Sequence, residues 1–410
     1  MKILTTLLAL LVLNTAVGQK NDCKIWLDSA KAMFKSERGL VQEELDRFDY
    51  GKIVPLLQKA IALNPGNAEA RYFLGYTYSR MNAPDARSMT AMNPELVLKA
   101  SEQFEKVNQL SPEYTGELIT LDPYSKLTGE WGSMAMCYQY RGKSDSATWA
   151  FREGKRRGGF GEFALALNRK VLDACSRNAI LLSYGDNFTM PLWYLQSVEN
   201  YRKDVTVVDA NLLNTVWYPS YLAQSGHIRF DLPAPVLDTI EYLPWRDSTV
   251  TIGRFSWTVG PSYYGKYLLR GDRVLLSLLR QNKFERDIYF TSGFNEAYQL
   301  GLANYLARHP AADKLTTGKK TELTAQEYSS AVAGMLMLTK YLNPNSREER
   351  ITLDNFRYGV LAAIRNLHAS GQAKRARELL TLLDQYAGEG RYPYRDEEGK
   401  AYADHIRRQL

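Results

Sequence analysis

Residues 179–209 hold two short apolar runs joined by one helix-length segment. They read Ala179-Ile-Leu-Leu-Ser-Tyr184, then Gly185-Asp186-Asn187, then a helical pattern over 190–201 bearing Leu192, Trp193, Leu195 and Val198, then Val205-Thr-Val-Val-Asp209. Strand, helix and strand at that spacing predict a βαβ unit with parallel strands, because a chain that crosses over through a helix returns in the same direction. A third run, Asp287-Ile-Tyr-Phe-Thr-Ser292, follows a helical pattern over 274–282 and precedes another over 295–307. Together these predict a small three-layer α/β domain over residues 166–310. Between the second and third runs, residues 228–258 alternate in places (Ile228, Phe230; Val250, Ile252) and contain prolines. A β excursion or a long loop is expected there.

In open α/β sheets ligands sit beyond the carboxyl ends of the strands, where loops are free to differ and helix N-termini aim their amides outward. Asp186 and Asn187, Asp209, Asn211 and Asn214, and Thr291, Ser292 and Asn295 all fall at such ends. They are the candidate ligand-binding residues, with Trp193, Trp217 and Tyr218 as flat apolar faces for a glycan or peptide to stack on. Tyr263 and Tyr264 could serve in the same way. Aspartate and asparagine also cap helices and close turns, so each position has a purely structural reading beside the functional one.

Upstream the texture is helical. Ile53, Leu57, Ala60, Pro65, then Leu74, Gly75 and Tyr78 stand at the spacings of a tetratricopeptide repeat. Small residues let two helices approach, large ones fill the gap, and the proline ends the second helix. The pattern returns at Ala100, Phe104, Val107, Pro112 and at Trp131, Ala135, Tyr138, Gly142, Ala147, Phe151, Gly154. Insertions around 82–94 and 115–127 are expected as loops. A further match at Ala363, Ile364, Leu367, Gly371, Ala376, Leu380 and Leu383 predicts another helix pair. The expected fold is thus mixed α and α/β: tetratricopeptide-type repeats over 19–165, the α/β domain, and C-terminal helical hairpins of the same type over 311–410. Such repeats stack into a curved surface that holds a protein partner, or simply brace the neighbouring domain.

Lys2, an apolar stretch over 3–12 and Ala16-Val17-Gly18 read as a secretory signal cut after Gly18, so a periplasmic or extracellular, soluble mature protein is expected. With 52 basic and 45 acidic side chains interspersed, a formal charge of +7 offers no track for a phosphate backbone, and no nucleic-acid partner is expected. Cys23, Cys137 and Cys175 show no Cys-x-x-Cys spacing, and His227, His309, His368 and His405 are scattered, so no metal site is expected. No phosphate-loop, dinucleotide or nucleophile-elbow motif occurs, and no cofactor is expected.

One resemblance adds to this. Gly185-Asp186-Asn187-x-Thr189-x-Pro191-Leu192-Trp193-Tyr194-Leu195-Gln196, Arg202-x-Asp204-Val205, Leu212-Leu213-Asn214-Thr215-x-Trp217-Tyr218 and Arg286-Asp287-Ile288-Tyr289-Phe290 resemble the soluble C-terminal part of the bacterial protein O-mannosyltransferase-like membrane glycosyltransferases, over about residues 175–390. That family usually has aspartate where Phe188 stands. It also commonly has Trp and Pro around the last strand, where this chain has Phe284 and Asp287. Its transfer chemistry is attributed to a polytopic membrane region, so the resemblance transfers no catalytic residue to this chain. It implies an accessory module of a glycosyltransferase.

Two functions follow. One is a non-enzymatic exported adaptor, engaging a protein partner through the repeats and a glycan or a membrane glycosyltransferase through the α/β domain. The other is a carbohydrate-active hydrolase or transferase using Asp186 and Asp209 as acid and base.

Overall fold

The computed structural model describes residues 21–318 and 323–410; the expected export signal at 1–18 lies outside the described residues. The first helix among the described residues, α1, covers 21–37. There follow α2 (Gln42–Leu45), α3 (Val54–Leu63), α4 (Ala68–Asn82), α5 (Pro94–Leu110), α6 (Pro123–Tyr140), α7 (Ser144–Arg156) and α8 (Glu162–Ala174). Consecutive members from α3 to α7 pack on one another. Their starts are well marked in the sequence. The side chains of Asn67, Asn93 and Asp122 accept amides of the first turns of α4, α5 and α6, and Pro94 and Pro123 occupy first helical positions, where a missing N–H costs nothing.

Close approach within this array depends on glycine. A Cβ on Gly75 would stand 2.9 Å from the Phe104 ring, and one on Gly154 would stand 2.5 Å from Cβ of Trp131. Leu57, Ala60, Phe104, Trp131 and Phe151 are buried, as the helix spacing predicts. The insertions are less loop-like than expected. Residues Ala86–Ala91 form a 3-10 turn, and α6 already starts at Pro123, inside the second insertion, because Asp122 caps it.

The sheet contains β1 (Ile180–Ser183) and, after α9 (Asp186–Val198), β2 (Thr206–Asp209). Next come α10 (Trp217–Gln224), α11 (Ala234–Thr239), the short β3 (Leu243–Pro244), the hairpin strands β4 (Ser248–Ile252) and β5 (Phe255–Val259), and β6 (Tyr267–Leu268). Then α12 (Arg270–Asn282) leads to β7 (Ile288–Thr291), β8 (Leu306–Ala307) and β9 (Ala312–Leu315). The strand order is β2-β1-β7-β9-β8. Ile180 pairs with Thr206 on one side and Ile288 on the other, both in parallel, and every residue of β1 is buried, as its unbroken apolar run requires. The crossovers from β1 to β2 and from β2 to β7 run in opposite directions across the sheet. Right-handed connections therefore put α9 and α12 on opposite faces.

Three expectations are corrected. The sheet is mixed rather than wholly parallel, because β9 pairs antiparallel with β7 and β8, and it continues past residue 310. No α-helix forms over 295–307, where only two 3-10 turns stand, at Glu296–Tyr298 and Ala303–Tyr305. Leu300 and Gly301 both take positive φ (52° and 76°), and a Cβ at Gly301 would stand 2.3 Å from the Thr258 carbonyl oxygen, so the β4–β5 hairpin lies too close for a helix. Trp257 Nε1 fixes the turn by donating to the Leu300 carbonyl at 2.8 Å. Finally, residues 228–258 contain a short helix as well as the expected β structure.

The chain ends in α13 (Ala325–Leu336), α14 (Arg347–Ala369), α15 (Ala373–Ala387) and α16 (Glu397–Gln409), which share a core around Leu336, Leu361, Ile364 and Leu379. Fully buried Arg357 pairs with Asp354 at 3.0 Å within it.

Candidate functional site at the end of the parallel strands

Strand β1 ends at Ser183, and Gly185, at φ 85°, turns the chain sharply into α9. Only glycine takes that conformation without strain. The turn places Asp186 in the first helical position, where the helix dipole favours a carboxylate. Asp186 faces a cleft of about 290 Å³ whose far wall belongs to the helical array. Gly129 of α6 lets it in, since a Cβ there would stand 2.9 Å from Asp186 Oδ2. The carboxylate is open to the water of the cleft yet surrounded by protein, and burial pushes its pKa up; Lys126 pulls it back and Glu130 adds to the rise.

Asp209, at the end of β2, lines the same cleft and is itself buried. Its carboxylate accepts the Thr189 hydroxyl and, at 3.0 Å, the Leu212 amide, and Thr189 lies 2.7 Å from the Ser183 hydroxyl. Burial pushes Asp209 up to about 6 against those hydrogen bonds, with the charge of Asp186 contributing. Asn211 lines the cleft beside it.

The opposite wall presents Ser79 of α4 and Lys126 and Glu130 of α6. Lys126 Nζ lies 3.0 Å from Glu130 Oε1 and donates to Ser79 Oγ at 3.0 Å, and Ser79 in turn donates to Glu130. The Tyr76 ring stands 5.3 Å from the same ammonium. Burial pulls Lys126 down, but Glu130 and the neighbouring tyrosines outweigh it and leave its pKa raised. The cleft therefore combines fixed carboxylates, an anchored ammonium, a hydroxyl and an amide. Such a set can bind hydroxyl groups as donor and as acceptor.

Of the candidates named from sequence, the structure gathers Asp186, Asp209 and Asn211 here. Asn187 faces a separate small cavity beside α14. Trp193 and Tyr218 line another cavity of about 180 Å³ over the outer edge of β2, and Tyr218 also accepts the Asp209 amide at 3.1 Å. Trp217 braces the array, donating from Nε1 to the Ala86 carbonyl at 2.9 Å. Asn214 accepts the Gly271 amide of α12 at 2.8 Å, and Asn295 accepts the Ala297 amide at 3.0 Å; both are turn and cap residues. Thr291 and Ser292 line an apolar cavity near the end of β7. Tyr263 and Tyr264 meet at the surface with their rings tilted by 57°, and neither lines any of these cavities. Sequence reasoning missed Ser79, Lys126 and Glu130. Lys126 and Glu130 did carry a signal, being an i,i+4 charge pair on a helix whose Leu127, Trp131 and Met134 are fully buried.

Among the described residues there is no cluster of metal-ligating side chains, and no helix long and apolar enough to cross a membrane. No curated protein and no solved structure matches the chain. The family described as TMEM260-associated domain 2 matches residues 164–227, TMEM260 being a protein O-mannosyltransferase-like protein. The matched stretch runs from α8 through β1, α9 and β2 to the end of α10, so the chain is similar to this glycosylation-associated family along the wall of the cleft that carries Asp186 and Asp209.

Proposed function

We propose that this protein is an exported, non-enzymatic accessory factor of protein glycosylation that holds a glycan, free or on an acceptor protein, in the Asp186 cleft. The observation that carries the reading is the water-accessible Asp186 carboxylate. It has no hydrogen-bond partner among the described residues and lies across from the Lys126–Glu130–Ser79 group in a cleft close to the about 300 Å³ at which ligand pockets begin. The helix pairs over 54–156, read as tetratricopeptide repeats, supply the rest of the surface and the contact to a protein partner or a membrane glycosyltransferase. Affinity capture from native cell envelope, followed by mass spectrometry and glycan release, tests this with wild type beside Asp186→Ala. A charged hydrogen bond contributes about 1.5–3 kcal/mol, so the variant is expected to retain glycosylated material about 10- to 100-fold less well. Equal retention by a folded variant would sink the assignment.

A second reading has one observation in its favour. Asp186 and Asp209 line the same cleft, and burial pushes Asp209 up to about 6, which leaves one carboxyl protonated longer than the usual carboxylate, as an acid–base pair uses. The Asp209 oxygens are engaged by Thr189 and Leu212, which suits a brace better than a mobile base. Release of reducing sugar from envelope glycans by wild type, abolished in Asp209→Asn, would favour catalysis.

A further inference from the structure

A different place in the fold has the form of a small-molecule site and uses none of the residues of the Asp186 cleft. Near the carboxyl end of β7 an apolar cavity of about 160 Å³ lies between the sheet and the C-terminal helices. Phe163, Leu167 and Phe188 line it together with Met335, Leu353 and Phe356 of the C-terminal helices. Among the described residues no charged side chain lines it, and its polar atoms belong to neutral residues such as Thr291 and Ser292. An apolar cavity of about 150 Å³ accommodates one benzene-sized ring.

Phe163, Leu167, Phe188 and Thr352 also line a second, smaller cavity of about 50 Å³, so the two spaces adjoin across these side chains. The chemistry changes there. Glu348 and Glu349, from the first turn of α14, face it, and among the described residues neither lysine nor arginine lines either cavity. Glu348 has Arg347 at 3.6 Å, whereas among the described residues the Glu349 carboxylate accepts only the Asn343 amide, at 2.7 Å. Burial pushes Glu349 up to about 7 against that hydrogen bond, with the charge of Asp122 adding to the rise. A walled carboxylate with no counter-cation among the described residues, next to an apolar cavity, is complementary to a ligand that brings a cation on an apolar body.

We propose that the two cavities together bind a small primary amine carrying one aromatic ring, or a branched chain of similar size, with the ring between Phe188 and Phe356 and the ammonium at Glu349. The smaller space has room for an ammonium group, since one water needs only about 10–15 Å³.

Calorimetric titration of the whole chain with phenethylamine, 2-phenylethanol and 3-phenylpropionate at pH 8 tests this, at a pH where Glu349 is ionised and the amine still protonated. The amine is expected to bind about tenfold more tightly than the alcohol, and the carboxylate not at all. Glu349→Gln, which keeps shape and the Asn343 contact, should lower the amine to the affinity of the alcohol and leave the alcohol unchanged. Thr352→Phe, which fills the shared wall, should remove both. Absence of phenethylamine binding, equal binding of the three probes, an amine preference that survives Glu349→Gln, or binding by a folded Thr352→Phe would each overturn the proposal. If Thr352→Phe does not fold, the isosteric Glu349→Gln decides it alone.

Discussion

Asp122 and Ser346, 224 positions apart in the chain, are joined by a hydrogen bond in which the Ser346 hydroxyl donates to Asp122 Oδ2 at 2.7 Å. The same oxygen accepts the Glu348 amide at 3.0 Å, while Oδ1 accepts the Ser125 amide at 2.7 Å. One buried carboxylate thus serves the N-termini of α6 and α14 together, each of which has amides without helical partners.

Asp122→Ala removes all three bonds inside a buried joint. Loss of a cap costs about 0.5–2 kcal/mol, and the orphaned Ser346 hydroxyl adds to it, so a destabilisation of about 2–3 kcal/mol is expected. Denaturant melts would show it, and hydrogen exchange should locate the loosening in the first turns of α6 and α14.

Stability should fall as pH rises through the titration of Asp209. The folded chain holds its proton up to about pH 6, whereas the unfolded chain releases it near the ordinary carboxylate value of 3.8. Between those values the folded state binds more protons, so raising the pH costs stability, and the cost of about 3 kcal/mol is fully present above pH 6. Asp209→Asn should flatten that part of the profile, measured as Tm or urea midpoint between pH 4 and 7. An unchanged slope in a folded variant would show that another group sets it.

Gly154→Ala and Gly142→Ala should differ for a geometric reason. At Gly154 the new Cβ would meet Trp131 Cβ at 2.5 Å and the Phe160 ring at 2.8 Å, atoms that no rotamer change of Trp131 can withdraw. Overpacking of this kind costs about 1–3 kcal/mol. At Gly142, with φ 69°, nothing lies within 4 Å, and only the left-handed backbone opposes the change, at about 1 kcal/mol. Paired unfolding curves should rank Gly154→Ala as the worse.

The three cysteines are free and buried, and burial pushes Cys175 up to about 12 and also raises Cys137. A thiolate reagent at pH 8 should therefore find almost no fast-reacting group in the native protein and three after denaturation. A rapidly modified native thiol would contradict the packing around these residues.

Much of the architecture was legible because it rests on local rules. The buried run of β1 and the Gly185 turn are one-dimensional signals, and each forms the expected element. What failed depended on long-range contact. The helix expected over 295–307 is displaced by a hairpin some forty residues earlier, and the pairing of β9 beside β7 has no local signature. The site divided in the same way. Asp186, Asp209 and Asn211 follow from the rule of strand ends, but Lys126 and Glu130 arrive from a helix that meets α9 only in the folded chain. Some motif residues of the resemblance prove structural. Arg202 grips Asp204 at 2.8 and 2.9 Å and donates to the Leu172, Cys175 and Ser176 carbonyls, and Arg286 donates to those of Asn178, Ala179 and His227. Phe188, standing where the resembling family usually has aspartate, packs beside the core and lines both of the adjoining cavities.

The treatment of β2 reaches beyond the single molecule. As an outer strand it has backbone groups pointing away from β1, yet Gln196 of α9 donates to the Val205 carbonyl at 2.7 Å and Tyr218 of α10 accepts the Asp209 amide. At the other margin β8 is only two residues long. Two of the outward groups along the β2 border are thus taken, and β8 presents only two residues, so each border leaves a neighbouring chain little ladder to pair on.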